Sequence, residues 1–253
     1  MIDNALMKKR FLIGAILLAL IFLGVFAFFN LSDSSQDKDQ GGRWEKSGPP
    51  SKILYQKTVK WGGFIDGCGP TLENDNFIVI GKSELPIEVI HEWESGKSLT
   101  LAYSRAKGVF LVEPTSGKKV QLLYLKSDHP IDGYLNQELN NPEGFSTQGM
   151  VEAYDRAIDL WNLELKRFDD DVLSRKYFRG EIRDNYLKLQ KIRTEYLESI
   201  FTAKALAVYF APDGGTVRQV DTSSIGYSIT RDIVLHTLEM AKYVEDFDSP
   251  GQE

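Results

Sequence analysis

Leu99–Tyr124 reads LTLAYSRAKGVFLVEPTSGKKVQLLY, and its spacing decides what the middle of the chain becomes. Leu99, Leu101 and Tyr103 alternate with smaller or polar residues, and Ser104–Lys107 makes a turn. Val109 and Leu111 form a second run, closed by Pro114-Thr115-Ser116-Gly117, and Val120, Leu122 and Tyr124 form a third. Period-two alternation broken by Pro, Gly and Ser turns predicts hairpins with one covered face, so a three-strand meander is expected. Upstream, Lys57–Trp61 and Phe77–Ile80 read as two further short strands. Gly62-Gly63 and Gly67-Cys68-Gly69-Pro70 read as loops between them. Residues 52–127 are therefore expected to form a small antiparallel β module.

Downstream the period changes. Asp128–Gly149 is turn-rich and reads as a link. Val151, Tyr154, Ile158, Trp161, Leu165, Phe168 and Val172 then recur at steps of three and four, which puts one apolar stripe along a long helix. A second helix is expected over about 176–209, with Ile182, Tyr186, Leu189, Ile192 and Tyr196 as its stripe. Pro212-Asp213-Gly214-Gly215 stops it, because proline and paired glycines oppose helix. A last helix is expected from Ser228 to Phe247, capped by Ser228 or Thr230. Amphipathic helices of this kind pack on each other, so residues 146–248 predict an antiparallel bundle.

Before the β module the chain is of another kind. Phe11–Phe29 is FLIGAILLALIFLGVFAFF, 19 residues without a charge or a polar side chain. A helix of that length nearly matches a bilayer core about 30 Å thick. Lys8, Lys9 and Arg10 precede it, whereas Asp33, Asp37 and Asp39 follow. The charge bias keeps residues 1–10 in the cytoplasm and exports the rest to the periplasm of a bacterial inner membrane. The bulky Phe26-Ala27-Phe28-Phe29 end favours an uncleaved signal anchor over a cleaved signal peptide. Residues 30–51, rich in Ser, Asp, Gln, Gly and Pro, read as a flexible linker. The expected fold class is α+β: an N-terminal transmembrane helix, a small antiparallel β module, then an antiparallel helical bundle.

Composition narrows the function. The 253 residues carry a net charge of -6, which argues against nucleic acid and mildly favours a basic partner. The single cysteine, Cys68, cannot form a disulfide within the chain, and reads as a small buried hydrophobe. His91, His129 and His236 stand far apart in no ligand spacing, so no metal and no cofactor are expected. No nucleophile elbow or phosphate loop appears, and no enzymatic activity is expected. Asp169-Asp170-Asp171 is the densest acidic run. Three consecutive helical residues point in three directions, so they cannot form an acid–base pair among themselves, and a solvated surface is the simpler expectation.

The helical half resembles the lysozyme inhibitor LprI-like domain family of bacterial envelope proteins. The resemblance rests on Thr147-Gln148 with Met150, then Tyr154, Ala157 and Asn162, then Leu189-Gln190. Asp213-Gly214-Gly215-Thr216 and Ile229-Thr230 continue it in the family's order. The chain departs from the family in having no cysteine after Cys68. The resemblance implies a binding protein that docks without covalent chemistry on a lysozyme or another basic cell-wall hydrolase. Asp169, Asp170 and Asp171, with Asp213, Gly214, Gly215 and Thr216, are the surfaces expected to meet such a partner. An envelope scaffold with no inhibitory activity is the alternative, and a hydrolase using two opposed carboxylates ranks last.

Overall fold

In the computed structural model of the chain the described residues are 52–65, 69–73, 76–176, 178–209 and 216–241. The expected anchor Phe11–Phe29, the linker and Cys68 lie outside them. Among the described residues no helix is long and apolar enough to cross a membrane.

The meander is present, but it is one wall of something larger. Strands β1 (Ile53–Ile65), β2 (Gly69–Leu72), β3 (Asn76–Ser83), β4 (Ser98–Ser104), β5 (Gly108–Val112) and β6 (Lys119–Leu125) close into a barrel ordered β1-β2-β3-β6-β5-β4. Every neighbouring pair is antiparallel. This corrects the expected fold class, because what was expected as a small antiparallel β module is a closed six-stranded barrel. Closure depends on the length of β1. Its first half pairs with β4, from Ile53↔Ser104 to Lys60↔Ser98, and its end pairs with β2, from Trp61↔Leu72 to Ile65↔Gly69.

The corner between those halves is Gly62-Gly63, which the sequence suggested was a loop. Gly63 has φ +96° and the register shifts between Trp61 and Gly63. A Cβ on Gly62 would lie 2.6 Å from Thr71 Oγ1, so the two strands approach through the missing side chain. Among the described residues the β2–β3 pairing is short, with Thr71↔Phe77 and Leu72↔Asn76 in register.

Consecutive residues of β4 and β5 are buried, Leu101 to Ser104 and Gly108 to Leu111. Both faces of this wall are therefore covered, one by the barrel interior and one by helices. Trp61, Leu99, Leu101, Tyr103, Leu111, Val120 and Leu125 are among its fully buried residues. A short helix, α1 (Ile87–His91), connects β3 to β4.

Helix α2 (Pro130–Leu139) occupies what the sequence suggested was a turn-rich link. The His-Pro pair starts it: Pro130 sits in the first turn, and His129 caps it by accepting the Ile131 N–H on Nδ1 at 3.2 Å. A 3-10 turn, Pro142–Phe145, leads to α3 (Thr147–Ser174), capped by Ser146 accepting from Gly149 N–H at 2.9 Å. Helix α3 buries Ile158, Trp161, Leu165, Phe168 and Val172, five of its seven stripe positions, together with Glu164 and Asp169.

Helix α4 (Gly180–Tyr209) inverts its expected stripe. Tyr186 is buried, but Ile182, Leu189, Ile192 and Tyr196 are exposed, and the inward row is Tyr186, Arg193 and Leu197. The last helix, α5 (Thr216–Glu239), starts twelve residues before the expected Ser228. Ser228 and Thr230, expected as caps, are interior to it, and the hydroxyls of this Ser- and Thr-rich run bond back to preceding carbonyls. Ser224 Oγ donates to Asp221 O at 2.8 Å, Ser228 Oγ to Ser224 O at 3.0 Å and Thr230 Oγ1 to Gly226 O at 2.8 Å. Helix α5 packs along α3 and supports α4, and the described residues belong to one compact unit spanning 49–253.

Candidate functional site

The Asp169–Asp171 run splits as its helical spacing requires. Asp169 turns inward and is buried. Its carboxylate accepts Tyr186 O–H at 2.6 Å, Gln190 Nε2–H at 3.0 Å and Arg193 Nη2–H at 2.5 Å, all from α4. Arg193 also reaches Thr237 Oγ1 of α5 at 3.4 Å, so one buried ion pair ties three helices. Burial first, then the hydrogen bond and charge of Asp169, raise the Tyr186 pKa, which keeps that phenol a donor. Asp170 points outward and takes Lys166 Nζ at 2.8 Å. Asp171 holds Arg175, with Nη2 at 2.8 Å. The run is therefore not one surface. Asp213, Gly214 and Gly215 lie outside the described residues, and Thr216 opens α5.

Above the buried ion pair, α3 and α4 leave a groove of about 430 Å³. Leu165, Leu197 and Phe201 supply its apolar walls, and Asn162, Lys166, Asp170, Thr194 and Glu198 its polar rim. Asp169, Gln190 and Arg193 form its base. A smaller cleft of about 290 Å³ at the barrel wall runs along Lys57–Lys60 and reaches Leu72, Leu125 and Asp128. Lys57 stands 3.8 Å from Asp128 there.

Two other polar clusters tie elements together, one joining the barrel to α3 and the other joining α2 to α5. Under the β4–β5 hairpin, Arg167 binds both Glu164 and the Arg105 carbonyl. Burial is the main influence raising the Glu164 pKa, with Arg167 opposing it. Gly108, with φ +69°, leaves room for this pair, since a Cβ would lie 3.1 Å from both Arg167 Nη1 and Glu164 Oε1. On the other side Asp132 of α2 accepts Arg231 Nε at 3.0 Å and Nη2 at 2.9 Å, and also the Tyr227 hydroxyl.

His129 sits between these elements, 4.3 Å from the Trp161 ring centre and 6.4 Å from Tyr103. Burial, with the positive charges of Arg231 and Lys57, lowers its pKa to about 3. It is therefore neutral, with Nδ1 occupied as the helix cap. Among the described residues no three His, Cys, Asp or Glu side chains gather as a metal site.

The outer flank of α4 is the second surface feature. Ile182 is 49%, Leu189 42%, Ile192 63% and Tyr196 52% exposed. Sequence periodicity placed this row inside because it is the more continuously apolar one, whereas the inward row interrupts Tyr186 and Leu197 with Gln190 and Arg193. The row holding Gln190 and Arg193 is the one that reaches a buried partner. A polar pair within a helix stripe, matched by an acidic residue in the facing stripe, was the signal available. No family model, no curated protein and no solved structure matches the chain.

Proposed function

We propose that this is a docking protein of the bacterial envelope, held to the inner membrane by Phe11–Phe29 and binding a partner protein in the periplasm without covalent chemistry. The observation that supports this reading is the α3–α4 groove. It combines an apolar wall with a charged rim, and its base is fixed by the Asp169–Arg193 pair. Apolar walls supply contact area, and rim charges supply orientation and on-rate. The net charge of -6 suits a basic partner. The LprI-like resemblance makes a lysozyme or another cell-wall hydrolase the partner to try first.

The test is capture of lysozyme by the detergent-solubilised full chain at low ionic strength. Binding lost at high salt, and weakened about tenfold by Thr194→Trp or by Asp170→Lys with Glu198→Lys, is expected, a change of about 1.4 kcal/mol. No capture at low salt removes the reading. A scaffold role without inhibition is the second reading, favoured by the exposed apolar row on α4.

A further inference from the structure

We propose that α4 is a self-association helix, through which two copies of this chain pair antiparallel along Ile182, Leu189, Ile192 and Tyr196. The inference does not rest on the groove, whose walls lie on another flank of the helix.

Three observations carry it. The first is spacing. Ile182, Asn185, Leu189, Ile192, Tyr196 and Ser199 recur at steps of three and four, which is the a/d seam of a helix that packs against another helix. All six are exposed, whereas Tyr186 and Arg193, on the neighbouring row, are buried in the chain's own fold. The helix thus carries one seam used internally and one left outside.

The second is area. The four apolar side chains, with flanking Lys188 and Glu195, expose on the order of 500 Å² per copy, so a symmetric pair would bury on the order of 1,000 Å² in total, the lower bound for a specific interface. A two-fold axis makes that face its own partner.

The third is charge, which selects the direction. In an antiparallel pair centred between residues 190 and 191, Leu189 lies opposite Ile192 of the second copy and Asn185 opposite its Tyr196. Like flanks then meet, and Lys188 faces Glu195 of the second copy, twice by symmetry. Among the described residues these two groups have weak exposed neighbours, Asn185 Oδ1 at 3.4 Å from Lys188 and Lys191 at 3.7 Å from Glu195. In a parallel pair Lys188 would instead face the Tyr186 and Arg193 flank, where Arg193 carries the same sign. A helix lying on lipid would pair its apolar face with a basic flank, whereas this flank carries both signs.

The test uses the full chain in detergent, with mass measured by analytical ultracentrifugation. A dimer at micromolar concentration is expected. Ile192→Asp should weaken it more than tenfold while leaving the circular dichroism and melting temperature unchanged, since Ile192 is an exposed residue. Lys188→Glu should weaken it, and adding Glu195→Lys should restore it.

On a Cys68→Ser background, chains carrying Leu189→Cys and chains carrying Ile192→Cys, differently tagged and mixed, should form mainly the mixed disulfide on mild oxidation. A wild-type monomer at 50-fold higher concentration overturns the proposal, as does a dimer indifferent to Ile192→Asp. Predominant Leu189–Leu189 links between copies of that variant overturn the antiparallel arrangement. Lysozyme capture measured on the Ile192→Asp chain separates this result from the groove reading, because the groove is unchanged there.

Discussion

At the scale of single residues, the buried charges decide more than the exposed ones. Asp169 and Arg193 are 5% and 6% exposed, so each depends on the other for compensation. Asp169→Ala leaves a guanidinium buried without its counter-charge, and should cost about 3–5 kcal/mol, measured by urea denaturation. Asp170→Ala, one residue on, removes only an exposed pair with Lys166 and should cost less than about 1 kcal/mol. Acidic density could be read directly from the sequence, but its division into one structural and two surface carboxylates could not. That division depends on which face α4 offers to α3, a tertiary choice that turns the row with Gln190 and Arg193 inward and leaves the apolar row outside.

His129 gives the pH dependence. Its folded pKa, about 3, lies below the ordinary 6.5, so the unfolded chain binds the extra proton first. Its contribution is complete above pH 6.5 and is lost as pH falls toward 3, at roughly 1 kcal/mol per pH unit. Glu164, whose pKa is raised, acts in the opposite sense: its burial favours the fold most below its ordinary value of 4.5 and less as pH rises through the folded pKa. His129→Asn, which keeps an acceptor for Ile131 N–H, should flatten the slope between pH 5 and 6.5 in denaturation curves. An unchanged slope would place that proton uptake elsewhere.

At the scale of elements, starts and stops were more legible where a local rule was also satisfied by tertiary packing. The strands over 98–104, 108–112 and 119–125 lie where alternation put them. Helix α2 was hidden because His-Pro reads as a turn, although proline in a first turn is equally a helix start. Helix α5 was shortened because Ser228 and Thr230 read as caps, whereas they are interior to a helix whose hydroxyl-rich first half buries Ser223 and Tyr227. The junction before α3 is the least tolerant connection. Gly149 donates to the Ser146 cap, and a Cβ there would collide with the Glu143 carbonyl oxygen. A backbone atom cannot step aside as a side-chain end does, so Gly149→Ala should destabilise the fold by about 2 kcal/mol or more. A shift in melting temperature of several degrees is the readout, and a neutral substitution would mean that the 3-10 turn relaxes freely.

At the scale of the whole molecule, closure was the property least visible in the sequence. Alternation reports which face of a strand is covered, but not whether the first strand meets the fourth. Closure requires β1 to serve two neighbours, β4 over Ile53–Lys60 and, on through Gly62-Gly63, β2, with Trp61 at the join packing at 5.2 Å against Trp93. A cylinder has no loose margin to offer to a stray chain, so this one is shielded from edge-to-edge clumping. Among the described residues its thinnest seam is where β2 meets β3 over two residues. Breathing should begin there, with Thr71, Leu72 and Phe77 amides trading their protons for deuterium at least tenfold faster than those of Leu101 and Leu111. Uniform protection round the wall would mean that the cylinder opens only when everything else does.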